Sequence, residues 1–152
     1  MNDTLAPTAA ECAERSGPDE GALVAVLSAA EELRERLENA LVAVGLSISK
    51  FDAMEQLIQA GEPLTLGNLA GRLRCVRSNV TQLVDRLEAD GLVQRGSCRE
   101  DRRAIRATLT PFGLERHAAG LRAIRSVQDD VAARLGPTDR ARLIELLSAL
   151  GD

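Results

Sequence analysis

Residues Pro63–Gly113 decide the fold of this chain, and they read PLTLGNLAGRLRCVRSNVTQLVDRLEADGLVQRGSCREDRRAIRATLTPFG. Two segments of this stretch, beginning at Leu66 and Val80, place apolar residues at i, i+3, i+4 and i+7, which predicts two short amphipathic helices. An Asp-Gly stop follows at 90–91, and then two strand-like segments, 92–95 and 104–109, enclose an arginine-rich stretch. Two helices followed by a β-ribbon, with arginine on the second helix and on the ribbon, indicate a small domain that can bind duplex DNA.

Two further helices are predicted before this stretch. The first covers about residues 19–45 and follows a polar arm of residues 1–18, which lacks any apolar period. The second covers about residues 47–60, and either Ser47 or Ser49 can cap it. Its apolar residues are predicted to face inward: Phe51, Met54, Leu57 and Ile58.

Two more helices are predicted after it, opened by Thr110-Pro111 and by Gly136-Pro137, because proline is tolerated at the first helical position. The sequence therefore predicts a mainly α fold in one domain, residues 19–152. A core of about 47–110 forms a winged helix-turn-helix with a small β-hairpin wing. The apolar stripes of the end helices, about 19–45 and 111–151, need a surface to bury them, which predicts a homodimer.

The composition favours helices and an aliphatic core. Apolar residues make up 45% of the 152 residues, but only Phe51 and Phe112 are aromatic. We see no apolar run near the roughly 20 residues that span a membrane, and no pattern typical of a signal peptide. We therefore expect a cytoplasmic protein with no membrane partner.

Basic charge is concentrated in the central stretch. Between Gly71 and Arg106 there are nine arginines and five acids, so this window carries 9 − 5 = +4, while the whole chain carries −4 and the remainder therefore −8. A basic patch on an acidic body is typical of a surface that binds a polyanion.

The second central helix offers a polar face for reading DNA, because its apolar face is taken up by Val80 and its helical repeats. The residues left exposed on it are Arg77, Ser78, Asn79, Thr81, Gln82 and Arg86. Asn and Gln can pair with adenine edges and Arg with guanine edges in the major groove, whose width admits one helix. Arg86, further along the helix, is better placed for a phosphate.

The tip of the ribbon is predicted to enter the minor groove. It contains Arg99, Arg102 and Arg103, and Asp101 can hold Arg103 in a bidentate pair. Such a pair orients the guanidinium toward narrow A·T-rich grooves, where negative potential is concentrated.

Several blocks of the sequence resemble the MarR family of bacterial transcriptional regulators. They stand in the family's order and spacing: Leu69-Ala70, residues 80–95, Asp101-Arg102-Arg103 and residues 109–113. The resemblance covers about residues 22–150 and is strong over 64–113. It implies a homodimeric winged-helix protein whose first, fifth and sixth helices form the dimer interface. It also implies a pseudo-palindromic DNA operator and, often, release by a small-molecule effector or an oxidant.

By motif position, the resemblance implies that Ser78, Asn79 and Gln82 read the major groove and that Asp101 and Arg103 form the wing pair. The turn before the fourth helix departs from the family, in which a Gly-Val-Ser-like turn is common. Here the same place reads Arg74-Cys75-Val76, so a polar cap is missing at Val76. Ser78 is the alternative cap, and as a cap it would not read bases.

The cysteines and the single histidine leave several interpretations open. Cys12, Cys75 and Cys98 form no CxxC pair, and with one histidine we expect no metal site, no cofactor and no enzymatic activity. Cys75 lies between Arg74 and Arg77 at a helix start, so it is either a redox switch or a small apolar residue that packs the turn. Oxidation of Cys98 in the wing, or of Cys12 in the arm, are the parallel alternatives.

His117 has two interpretations as well. With Phe51 and Met54 it could line an effector pocket, or all three could lie in the core, with His117 paired to a neighbouring helix or to the dimer mate. A competing class for the whole chain is a winged helix that binds protein and not DNA. The excess of arginine over acid in the predicted wing argues against that class.

Overall fold

The structure is a computed structural model that describes residues 18–97 and 105–150. Six helices and three strands occupy these ranges: α1 (Pro18–Val42), α2 (Ile48–Ala60), β1 (Leu64–Thr65), α3 (Leu66–Leu73), α4 (Arg77–Ala89), β2 (Val93–Ser97), β3 (Ile105–Leu109), α5 (Pro111–Arg134) and α6 (Pro137–Ala149). The described chain divides into two units, the first ending at Arg36 and the second beginning at Leu37. The mainly helical fold with a small antiparallel sheet confirms the predicted class.

Some predicted site residues lie outside the described ranges: Cys12, Cys98, Arg99, Asp101, Arg102 and Arg103. Their roles stay predictions.

Side-chain caps start three helices at the residues that the sequence predicts. Ser47 caps α2, Thr65 caps α3 and Thr110 caps α5, each with a side-chain oxygen that accepts a backbone N–H three residues on, at 3.3, 3.1 and 2.9 Å. Each cap satisfies a donor that the first helical turn leaves unpaired. Of the two serines considered for α2, Ser47 and not Ser49 is the cap.

The sheet has three strands in the order β1-β3-β2, and both pairings are antiparallel. The predicted hairpin is present, but β2 begins one residue late and runs on to Ser97. The third strand was not predicted. It holds only Leu64 and Thr65, which pair with Ala107 and Arg106. A two-residue strand has no alternation to detect, so only its register with β3 reveals it.

The core lies among α2, α3, α4 and the sheet, closed by the end of α1. Its members are aliphatic apart from one phenylalanine: Leu41, Leu46, Phe51, Ala53, Met54, Leu57, Leu64, Leu66, Leu69, Ala70, Val80, Val84, Leu87, Leu92, Val93 and Ala107. The inward orientation predicted for Ile58 is wrong, since 37% of this residue is exposed. The buried stripe of α2 follows Ala53 and Leu57, and Ile58 lies beside it.

The apolar residues of α6 do not contribute to this core. None of its residues is buried, and its large apolar side chains are exposed: Leu143, Ile144, Leu146 and Leu147. The sequence predicts that this apolar stripe needs a surface to bury it, and within the described part of a single chain it remains exposed. Exposed apolar residues also lie on α1, at Leu23, Val24 and Leu27. Among the described residues, no helix combines the length and the apolar character needed to cross a membrane.

Candidate nucleic-acid interface

Helix α4 is anchored in the core by one face. Val80, Val84 and Leu87 are almost completely buried against α3 and the sheet. The helix begins at Arg77 after Val76, whose side chain makes no capping hydrogen bond. Ser78 therefore lies inside the first turn and is not the cap, which keeps its side chain on the solvent face.

The opposite face of α4 is polar and open to solvent. Of the six residues of α4 predicted to contact DNA, all but one are exposed: Arg77, Ser78, Asn79, Gln82 and Arg86. Thr81 is the exception, because it is half-buried and its Oγ1 donates to the carbonyl of Arg77 at 3.0 Å. The Thr81 proton is thus used inside the helix, which leaves its oxygen lone pairs and its methyl group for other contacts.

No acid accompanies the arginines of α3, of the turn and of the first half of α4. Between Pro63 and Val84 the chain has three arginines, at 72, 74 and 77, and no aspartate or glutamate, so this segment carries +3. All three are exposed. Such a surface attracts a polyanion, because phosphates meet cations there without any competing carboxylate.

The acids of α4 are neutralised from the sheet. Arg95 in β2 forms ion pairs with both Asp85 and Glu88, and it also reaches the carbonyl of Thr81. The two carboxylates are one helical turn apart, so one guanidinium can bind both. Arg95 joins α4 to the wing strand and offsets the charge of these two carboxylates. This role of Arg95 was not predicted, although acids at i and i+3 on a helix before an arginine-bearing strand indicate such an ion pair.

The end of α4 is tied to the start of α2. Lys50 Nζ lies 2.5 Å from Asp90 Oδ2. This ion pair joins the chain's single lysine to the last turn of α4. Asp85, Glu88 and Asp90 all lie in the C-terminal half of α4 or just after it, so these ion pairs tie that half of the helix to α2 and β2.

A cavity of about 330 Å³ lies between α4 and the first turn of α2. Its lining combines polar residues of both helices with the α3–α4 turn: Ser49, Asp52, Leu73, Cys75, Asn79, Val80, Gln82, Leu83 and Arg86. Burial raises the pKa of Asp52, and the neighbouring Glu55 raises it further. Three of the predicted DNA-contacting residues, Asn79, Gln82 and Arg86, thus also line a space the size of a small ligand.

Cys75 is a free, exposed thiol on this cavity wall. Its Sγ donates to the carbonyl of Leu73 at 3.2 Å. The residue is therefore accessible at the start of α4 and is not packed away in the turn.

His117 lies where α5 meets α2. Its Nε2 is 2.6 Å from Oε2 of Glu55, and its ring stacks on Phe51 with centroids 4.8 Å apart and planes 5° from parallel. His117, Phe51 and Met54 are all buried. Glu55 of α2 is therefore the partner on a neighbouring helix that the core interpretation of His117 requires. The pKa of Glu55 is lowered most by a hydrogen bond from Gln59, and His117 lowers it as well.

Helix α5 lies close to the link between α4 and β2 at Gly113. A Cβ built on Gly113 would lie 2.1 Å from the carbonyl oxygen of Leu92. The Thr110 hydroxyl donates to the carbonyl of Gly91 at 2.6 Å. The start of α5 is therefore fixed against the link between α4 and β2.

Comparison with known proteins assigns this arrangement to a family. A family model described as MarR family matches residues 46–105, which include α2, α3, α4 and β2. YkoM, an uncharacterized HTH-type transcriptional regulator of Bacillus subtilis, is 32% identical over 108 residues, which are 70% of this chain and 69% of YkoM. The chain belongs to the MarR family.

Other relatives agree with membership of the MarR family. The HTH-type transcriptional regulator PrsX of Escherichia coli is 30% identical over 89 residues, which are 58% of this chain and 54% of PrsX. The match therefore spans about half the length of that relative. The solved structure of the transcriptional repressor CouR bound to a 23-mer DNA duplex has a TM-score of 0.73 at 24% identity, and covers 84% of this chain and 90% of CouR. This likeness shows that the two share the MarR fold.

Proposed function

We propose that this chain is a homodimeric transcriptional regulator that binds a pseudo-palindromic duplex-DNA operator in a sequence-specific manner and represses by occluding a promoter. The observation that carries the proposal is the solvent face of α4. Asn79 and Gln82 are exposed there between Arg77 and Arg86, and no acid lies in the chain from Pro63 to Val84. Amide and guanidinium groups on one helix face are the donors and acceptors that base edges require.

Family membership supports DNA as the partner. The relatives PrsX and YkoM are named as transcriptional regulators, and CouR, which has the same fold, was solved on duplex DNA. In our proposal α4 enters the major groove with Ser78, Asn79 and Gln82 against the bases. Arg86 contacts a phosphate, and the wing residues Asp101 and Arg103 approach the minor groove.

The exposed apolar helices support a homodimer. No residue of helix α6 is buried within its own chain, and 65% of Ile144 and 57% of Leu146 face solvent. A monomer rarely exposes so many large apolar side chains on one short helix unless they form an interface. Two copies related by a two-fold axis would place their α4 helices about 34 Å apart, which is one turn of DNA.

The cavity beside α4 supports release by a small molecule. Asn79, Gln82 and Arg86 line it, so an occupant would compete with DNA for the same side chains. The alternative is a thiol switch at Cys75, which is exposed on the same cavity wall. In either case the inducer acts at the reading face, and we expect no catalytic turnover.

The proposal is tested by equilibrium binding of the full chain to duplex DNA recovered by selection from a random-sequence pool. We expect log K to fall linearly with log salt, with a slope of about −0.9 for each phosphate contacted. The control is Ile144→Glu, which removes an apolar contact of α6 and leaves α4 untouched. We expect it to give a monomer by light scattering and to lose most operator affinity, because half-sites then bind singly.

Three outcomes would contradict the proposal. If the wild-type chain binds selected and random DNA equally, it is not sequence-specific. If it binds no DNA at either of two salt concentrations, the winged helix serves another partner. If Ile144→Glu remains a dimer with unchanged affinity, α6 is not the interface. Release is tested separately with diamide on wild type and Cys75→Ser, since a thiol switch at Cys75 predicts release of the wild type alone.

A further inference from the structure

The turn between α3 and α4 contains a backbone conformation that is unusual for its residue. Arg74 has φ +51° and ψ +37°, in the left-handed region, and it is the only residue other than glycine with positive φ in the described ranges 18–97 and 105–150. The Cβ of an L-residue crowds the following carbonyl in this region, so glycine normally occupies it.

The conformation follows from how α3 ends. Cys75 N donates to the carbonyl of Ala70 at 3.1 Å, and Arg74 N donates to the carbonyl of Gly71 at 3.3 Å. This pair of bonds is the Schellman ending, which requires a left-handed residue directly after the helix. The turn therefore needs this geometry whichever residue is present.

The same chain builds this ending twice more, and there it uses glycine. After α1, Leu46 N reaches Leu41 O and Gly45 N reaches Val42 O, both at 2.9 Å. After α4, the corresponding bonds place Gly91 at φ +70°. Two matched endings with glycine show that the Arg74 ending would be less strained with glycine, so its arginine is unexplained by the fold.

The side chain of Arg74 has no structural task to explain its presence. It is exposed, and within the described part of the chain no hydrogen bond, ion pair or ring contact engages its guanidinium. The two arginines nearest to it in the sequence, Arg72 and Arg77, are exposed as well. Arg74 is thus a third cation in the stretch 72–77, which contains no acid to pair with it.

The turn borders the reading face of α4. Leu73 and Cys75, on either side of Arg74, line the same cavity as Asn79 and Gln82. A cation at this place would lie beside the sugar-phosphate backbone when α4 occupies the major groove.

We propose that Arg74 contacts a DNA phosphate, and that this contact is what keeps arginine at a backbone position suited to glycine. The inference rests on the proposed function, because it requires α4 to bind DNA. It adds to the interface a residue on the turn, outside the α4 face and the wing.

Three substitutions separate the charge from the backbone. Arg74→Lys keeps the cation and the strain, Arg74→Gln keeps only the strain, and Arg74→Gly keeps neither. If the inference is correct, DNA affinity follows the charge. Arg74→Gln and Arg74→Gly lose on the order of tenfold at 0.1 M salt on selected and random DNA alike, and Arg74→Lys stays near wild type. In a dimer two contacts are lost, so the salt slope becomes shallower by about 1.8.

Thermal stability should instead depend on whether residue 74 can adopt the left-handed backbone conformation without strain. We expect Arg74→Gly to raise the Tm by about 2–4 °C, while Arg74→Lys stays at the wild-type Tm. Gly45→Ala is the matched control, because it places a Cβ in the same ending where nothing lies within 4 Å. It should lower the Tm without changing DNA affinity.

The outcomes are distinguishable. If wild type binds DNA and Arg74→Gly binds with the same affinity and salt slope, the inference is wrong and the proposed function stands. A Tm of Arg74→Gly below that of wild type would also overturn it, since the arginine would then stabilise the fold. If wild type itself binds no DNA, the proposed function fails first.

Discussion

Arg95 of β2 and Glu88 of α4 are joined at two points. The backbone N–H of Arg95 donates to Oε1 of Glu88 at 3.3 Å, and the Arg95 Nε lies 3.3 Å from the other oxygen, Oε2. The same guanidinium pairs with Asp85. One residue of the wing strand therefore holds both carboxylates of the proposed reading helix.

Loss of Arg95 should weaken DNA binding through charge. Arg95→Gln leaves Asp85 and Glu88 without their cation beside the DNA, so we expect affinity for random and selected duplexes to fall by about tenfold. Loss of these partly exposed ion pairs should lower the free energy of unfolding by about 1–2 kcal/mol. Fluorescence anisotropy and urea unfolding measure the two effects.

The rescue variant combines Arg95→Gln with Asp85→Asn and Glu88→Gln, which removes the unpaired charges. We expect it to regain most of the affinity, since the repulsion is gone. If the triple variant binds as weakly as Arg95→Gln alone, the charge explanation does not hold and Arg95 acts only by aligning α4 with the wing.

On α4, substitution of a residue that reads bases should affect DNA binding differently from substitution of a residue that binds a phosphate. Asn79→Ala or Gln82→Ala should relax specificity at one position per half-site by about 1–3 kcal/mol, because each removes a contact to a base edge. Arg86→Gln should instead weaken selected and random DNA equally and reduce the salt slope. Competition binding against single-base variants of the selected duplex distinguishes these patterns. Equal effects of all three substitutions on random DNA would refute the assigned roles.

The close contact between α5 and the link from α4 to β2 leaves no room for a side chain at Gly113. A Cβ at Gly113 would meet the Leu92 carbonyl oxygen at 2.1 Å, and backbone must shift to relieve it. We expect Gly113→Ala to lower the unfolding free energy by about 3 kcal/mol. The control is Gly71→Ala in α3, where nothing lies within 4 Å and alanine should stabilise by up to about 1 kcal/mol. Similar unfolding midpoints for the two variants would contradict the predicted close approach.

The carboxylates of α2 should give opposite dependences on pH. The folded pKa of Glu55 is lowered, through Gln59 and His117, from an ordinary value of 4.5. Ionised Glu55 thus stabilises the fold above that value, and this contribution is lost as pH falls through the lowered pKa. The folded pKa of Asp52 is raised above 3.8 by burial and by Glu55. Its ionised form therefore opposes folding, and the opposition disappears as pH falls through the raised pKa.

Two neutral isosteres test this pair by thermal unfolding across pH. At neutral pH we expect Glu55→Gln to have a lower Tm than wild type and Asp52→Asn to have a higher one. Both differences in Tm from wild type should shrink as the pH falls. The difference for Asp52→Asn should shrink at a higher pH than that for Glu55→Gln. A Glu55→Gln protein as stable as wild type at neutral pH would mean that the 2.6 Å contact with His117 adds nothing to stability.

Local signals in the sequence were sufficient for the helical part of the fold. Ser47 and Thr110 start helices where predicted, because a capping oxygen needs only a backbone N–H three residues away. The spacing of Val80, Val84 and Leu87 determined which face of α4 is buried and so which residues remain for DNA. The excess of arginine in the same region indicated the chemistry of the partner.

Contacts between segments distant in the chain were decided only by the tertiary structure. The strand at Leu64 exists because β3 pairs with it, and the roles of Arg95 and His117 depend on partners 7 to 62 residues away. The left-handed backbone of Arg74 appears only once two hydrogen bonds close the end of α3. Periodicity and caps depend on neighbours within one helical turn, and they are written in order along the chain. Cross-strand register, ion pairs between elements and close backbone approaches depend on distances that arise only when those elements pack.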